Sequence, residues 1–305
     1  MIKTHIKTSL MMLTAVTFWA CAFPFIKILL KELSYINLTI LRFTVVAIAL
    51  LTFISSKPKN FSKLKKKDIP SITLLGFFGI IVYHLGLNFG EQYVSPGAAS
   101  LIIATAPVFT VTLSIIYLKE KITLKKLLGI LLSLTGVIII SLWGTGGKIE
   151  INYLLGAFGV LIAAVMASLY TIAGKKMLKK YNALTLTIYA MLFGSIGLIP
   201  FLNTRLIPQI LDLSVKGWSA LIFLGIFSTI IAYLIWYKAL EIKEASEVNI
   251  YLYAIPVIST TLSFFLVNQK ITIYFILGGI LVIAGLIIVN RRKRYKKQLK
   301  LTKEQ

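Results

Sequence analysis

Ten mostly apolar stretches, each close to twenty residues long, divide this chain: 9–30, 36–55, 70–89, 96–118, 123–143, 152–173, 184–202, 217–239, 247–267 and 272–290. A hydrocarbon layer about 30 Å thick is crossed by about 20 apolar residues in a helix, so each stretch has spanning length. Barrel strands would alternate polar and apolar positions over about ten residues, and these runs do not. The pattern predicts an all-α polytopic membrane protein with ten transmembrane helices. Lys3 and Lys7 before the first run resemble a leader peptide. Nine further runs follow it, so the segment reads as a retained first span.

Composition agrees with that reading. The 305 residues are 58% hydrophobic, against about 45–50% for soluble domains, and the mean hydropathy is +0.88. Lys and Arg number 33 against 10 Asp and Glu. They cluster between the apolar runs, which points to cytoplasmic loops rather than a nucleic-acid surface. With the N-terminus placed inside, 26 of the 33 fall on the cytoplasmic side, six on the other, and Arg42 within the second span. Both termini are therefore expected in the cytoplasm of a cell membrane protein, with residues 291–305 a basic tail against anionic lipid.

Reactive chemistry is scarce. Cys21 is the only cysteine, His5 and His84 the only histidines, and Asp68 and Asp212 the only aspartates. No metal site, catalytic residue or cofactor is expected, and no Gly-x-x-x-x-Gly-Lys loop is present to hold a nucleotide.

An internal repeat gives the organisation. A shift of 149 residues aligns Gly76 with Gly225, Phe78 with Phe227, Pro107-Val108 with Pro256-Val257 and Thr112-Leu113-Ser114 with Thr261-Leu262-Ser263. Lys121-Ile122-Thr123 likewise meets Lys270-Ile271-Thr272, and Gly129 and Gly136 meet Gly278 and Gly285. Each half holds five spans, an odd number, so the second half is expected to enter the membrane inverted. That is the architecture of carriers that bind cargo between two halves near mid-membrane.

The first unit reads Ser95-Pro96-Gly97-Ala98-Ala99-Ser100, then Ala104-Thr105-Ala106-Pro107-Val108-Phe109, then Leu118-Lys119-Glu120-Lys121-Ile122-Thr123. With Trp19, Leu41-Arg42-Phe43 and Trp236-Tyr237-Lys238-Ala239-Leu240, this resembles the EamA domain of the drug/metabolite transporter superfamily. The resemblance implies two domains, 8–143 and 152–290, and a transporter rather than an enzyme. It also implies efflux of small metabolites as the commoner direction. Two positions depart from the family pattern: a small polar residue is often found at Ala22, and an acidic one at Ile255.

Cargo-lining residues should be polar or aromatic and share helix faces. His84, Asn88 and Glu91 stand at i, i+4 and i+7 in the third span, and a buried Glu91 would offer a route to proton coupling. Ser100, Ala104 and Pro107 repeat the spacing of Asn249, Tyr253 and Pro256, with the two prolines expected to kink their helices for gating. Trp19 and Phe23, Tyr170, and Tyr233 with Trp236 are expected to form aromatic walls for an amphipathic solute. Arg42 is a cation facing the cavity or protein, with Glu91 or helix carbonyls as its expected partners. The pattern points to a secondary transporter of small organic metabolites such as amino acids. A lipid-modifying enzyme or a membrane scaffold is the alternative.

Overall fold

The computed structural model describes residues 2–56, 62–118, 124–143, 151–242, 248 and 250–290. Among these the chain is all-helical, without strands. We number the helices α1 (Ile2–Leu29), α2 (Tyr35–Ser56), α3 (Lys66–Tyr93), α4 (Pro96–Ile103), α5 (Ala106–Leu118) and α6 (Leu124–Trp143). The second half contributes α7 (Ile151–Met177), α8 (Ala183–Ile196), a short α9 (Leu206–Leu211), α10 (Val215–Ile242), α11 (Ala254–Val267) and α12 (Ile273–Asn290). Among the described residues six helical segments are long and apolar enough to cross a membrane: Leu10–Leu29, Tyr35–Ser56, Lys66–Tyr93, Ile151–Met177, Ala183–Phe201 and Val215–Ile242. Four shorter apolar stretches accompany them.

The expected single span over 96–118 is broken. Ala104 and Thr105 form a turn between α4 and α5. Pro107 has no N–H to return to the preceding turn, so it opens a new helix more readily than it continues an old one. Thr105 closes the gap with its own hydroxyl, which donates to the Ile102 carbonyl at 2.6 Å. Pro256 likewise lies in the first turn of α11, after a tight turn over Ile250–Tyr253. Both prolines start helices and do not bend them midway.

Packing places the polar ends. At one end the Lys27 ammonium of α1 donates to carbonyls at the C-terminus of α3, Glu91 in its last turn at 2.5 Å and Val94 just after it at 3.1 Å. These are the acceptors a helix C-terminus leaves unpaired, and they carry its negative dipole end. At that same end Asn37 donates to Gln209 at 2.7 Å, and Asn203 donates to Asn37 at 2.7 Å. Glu32 accepts from the Ser214 backbone and hydroxyl, both at 2.8 Å, at the start of α10. At the opposite end Asp68, in the first turn of α3, takes the Lys180 ammonium at 2.6 Å and the Tyr181 hydroxyl at 2.9 Å. Tyr181 also accepts from the Lys65 backbone at 3.1 Å. Thus α1 ends where α3 ends, whereas α7 ends where α3 begins.

Helix neighbours come in pairs related by 149 residues. Helix α3 packs on α7, and α10 on α1; α5 packs on α7, and α11 on α1; α3 packs on α8, and α10 on α2. Helices α6 and α12 lie against each other through glycines: a Cβ on Gly136 would sit 2.5 Å from the Gly278 carbonyl, and one on Gly285 would sit 2.5 Å from that of Gly129. Such small-residue contacts let membrane helices approach at backbone distance. The outward faces are apolar, with Phe265 73% exposed and Ile280 58% exposed. In water that would be a liability; acyl chains solvate it.

Candidate functional site

Two segments widen to π-helix: Phe77–Val82 within α3 and Leu224–Ile231 within α10. They correspond under the 149-residue shift. A π turn leaves the backbone register out of step by one residue, and such turns concentrate at functional sites. In α10 the misfit is met by Thr229, whose hydroxyl donates to the Leu224 carbonyl five residues back at 2.7 Å. The oxygen of that hydroxyl then accepts from Arg42 Nε of α2 at 2.8 Å, and Ser228 Oγ accepts from Nη2 at 3.4 Å. Arg42 is 2% exposed. The expected Glu91 partnership does not form as a contact: Arg42 is held by hydroxyls instead.

Between these segments lies a cavity enclosing about 90 Å³. Its aromatic wall is built by Trp19, Tyr170, Tyr233 and Trp236, with Phe23 and Tyr83 beside them. The Trp19 ring meets Tyr233 edge-on at 5.6 Å and Trp236 at 5.2 Å, and its indole N–H donates to the Ser228 carbonyl at 3.0 Å. Tyr170 meets Tyr233 edge-on at 5.7 Å and stacks on the buried Tyr237 at 5.3 Å. His84 completes the wall, packed against Phe43 and Tyr83 at 4.8 Å each, with neither ring nitrogen hydrogen-bonded to a described residue. Among the described residues Arg42 is the one charged residue lining the cavity, and Thr110, Thr171 and Ser228 add hydroxyls.

The lining follows the repeat. Gly79 pairs with Ser228, His84 with Tyr233, Leu87 with Trp236, Ala22 with Thr171, Ile103 with Leu252 and Ala106 with Ile255, and every one of these twelve lines the cavity. The two halves therefore supply equivalent positions with different side chains. One contributes smaller or more apolar groups, the other mostly hydroxyls and larger rings.

A model of the EamA-like transporter family matches residues 6–142 and 154–291. The chain belongs to this family. It is a multi-span membrane protein of a transporter family, not an enzyme. An uncharacterized transporter of Archaeoglobus fulgidus is 41% identical over 91% of this chain and 96% of its own length. A probable terminal-alkyne amino-acid exporter of Streptantibioticus cattleyicolor is 32% identical over 92% of each. The uncharacterized transporter YdfC of Bacillus subtilis is 32% identical over 88% of this chain and 85% of its own. A solved crystal structure with 18% identity superposes over 98% of this chain and 99% of that one with a TM-score of 0.61, and shares the fold.

Not every sequence candidate reaches the cavity of this EamA-like transporter. Trp19, Phe23, Arg42, His84, Tyr170, Tyr233, Trp236 and Pro107 line it. Asn88 and Glu91 are buried further along α3 and do not, although they share the His84 face. At 1.5 Å per residue Glu91 stands roughly 10 Å beyond His84. Asn88 donates to Thr39 at 2.9 Å, and neither Glu91 carboxylate oxygen has a hydrogen-bond partner among the described residues. Ser100 turns onto the Gly97 carbonyl at 2.7 Å. Pro256 is buried away from the cavity. Asn249 and the Tyr253 side chain lie outside the described residues. Sequence reasoning missed Tyr83, Thr110, Thr171 and Ser228. The repeat carried the signal for two of these, because carrying Gly79 and Ala22 forward by 149 lands on Ser228 and Thr171.

Proposed function

We propose that the chain is an alternating-access secondary transporter. Its two inverted five-helix repeats, 8–143 and 152–290, would carry small organic metabolites such as amino acids or related amphipathic compounds out of the cell. The observation that carries this reading is the central cavity, lined pairwise by equivalent positions of both halves and flanked by both π segments. A site on the seam between two halves is where rocking of one against the other exposes cargo to alternate sides. The outward direction takes its support from the relative named as an amino-acid exporter. A flux assay in proteoliposomes against a metabolite panel tests the proposal. Tyr233→Ala is expected to lower flux at least tenfold, and unchanged flux would remove the cavity from the transport path.

We assign both termini to the cytoplasm, the basic tail 291–305 lying against lipid. In a Cys21→Ser background, single cysteines at Lys65 and Lys179 are expected to be labelled from the inside, and one at Lys216 from the outside. Labelling of Lys65 and Lys179 from different sides would contradict both this topology and the inverted arrangement.

Glu91 is the candidate for proton coupling. It is 0% exposed, its carboxylate oxygens have no hydrogen-bond partner among the described residues, and Lys27 and Arg42 act on it across space. Glu91→Gln is expected to abolish the response of flux to an imposed pH gradient. A full response in that variant would place coupling elsewhere.

A further inference from the structure

Arg42 is a buried cation without a carboxylate. The residue is 2% exposed, its Nε and Nη2 meet neutral hydroxyls, and no carboxylate among the described residues lies within 4.0 Å of the guanidinium. Burying a charge without an opposite charge is costly, and hydroxyls offset only part of that cost. Glu91 acts on Arg42 only across space. Arg42 nevertheless lines the central cavity, where no acidic residue is found among the described lining residues. At Ala22 and Ile255, polar or acidic side chains would have offered the cavity other chemistry, and both positions are apolar. The rest of the described wall is aromatic and aliphatic, with the neutral hydroxyls of Thr110, Thr171 and Ser228.

We infer that the transported solute is a monocarboxylate with an apolar or aromatic body, its carboxylate bound by Arg42 between α2 and the π segment of α10. This rests on the transport reading and names its substrate class. A planar guanidinium presents parallel donors that match a carboxylate in fork geometry. The Thr229 hydroxyl fixes that fork, because its own proton is committed to the Leu224 carbonyl and its lone pair faces Nε. One positive charge compensates one negative charge, which disfavours phosphate dianions and dicarboxylates. A lipophilic cation would meet the aromatic faces but would also meet Arg42, and like charges in an enclosed site repel strongly.

The test uses the purified full chain in detergent, reading intrinsic fluorescence, since Trp19 and Trp236 are part of the wall. The probes are 3-phenylpropionate, its uncharged isostere 3-phenylpropionamide, and tetraphenylphosphonium. In wild type the acid is expected to bind at least tenfold more tightly than the amide, with the phosphonium weakest. Arg42→Gln should bring acid and amide to parity by weakening the acid alone, and Arg42→Lys should fall between. Equal binding of acid and amide to wild type, no binding of either, or preference for the phosphonium would overturn the inference. The wild-type comparison decides even if Arg42→Gln fails to fold. In proteoliposomes, flux of neutral or cationic solutes without acid preference would overturn this substrate class and leave transport standing. Absence of flux for every solute would overturn the transport reading itself.

Discussion

Trp19→Ala is expected to cost about 3 kcal/mol of stability and to lower solute flux at least tenfold. The indole sits at mid-span, touches Tyr233 and Trp236, and ties α1 to the widened turn of α10 through the Ser228 carbonyl. Truncation removes a ring that closes the cavity wall and leaves a void that the packed helices fill only in part. Trp19→Phe separates the two contributions. It keeps most of the apolar contact and loses the N–H donor, so about 1 kcal/mol is expected to go. Thermal unfolding in detergent followed by circular dichroism gives the stability, and proteoliposome uptake gives the flux. An unchanged melting temperature for Trp19→Ala would mean that α1 and α10 are held together elsewhere.

Gly285→Val is expected to destabilise the protein by about 3 kcal/mol or more and to deplete folded protein at expression. A first side-chain carbon there would lie 2.5 Å from the Gly129 carbonyl, a backbone atom of α6 that cannot step aside. The helices would have to part along their whole contact. Gly279→Ala is the control one turn and a half away. Its added carbon would be 3.3 Å from Leu101 Cδ1, the end of a flexible side chain, and the helix gains from alanine's better propensity. The melting temperature is expected to stay level or rise slightly. If both variants behave alike, close approach of α6 and α12 is not what holds them.

Much of the fold was legible because apolar length is a strong signal in lipid, where backbone groups must be satisfied within the segment. The runs around 36–55, 152–173 and 217–239 reappear as α2, α7 and α10 within a few residues. Hydropathy could not show the break at Ala104 and Thr105, since both sides are equally apolar. The π segments were also hidden: Phe77–Val82 is as hydrophobic as the α-helix around it, and the wide turn comes from packing. In the site, aromatic residues at mid-span were readable as a wall because a belt at the membrane boundary would not place them there. The spacing of His84, Asn88 and Glu91 puts them on one helix face, but a face is longer than a cavity, and only His84 lines it. Arg42 was visible as a costly charge; its hydroxyl partners, 186 and 187 residues away, were not.

The two polar ends of the bundle are fastened by different chemistry. One relies on the amides of Asn37, Asn203 and Gln209 and on a lysine set against carbonyls; the other has the Asp68–Lys180 ion pair, whose lysine side chain is 52% exposed. Dissolved ions screen the exposed pair and scarcely touch amide-to-amide bonds. Ionic strength therefore loosens the clasp at Asp68 more than the clasp of side-chain amides, Asn37, Asn203 and Gln209, at the opposite rim.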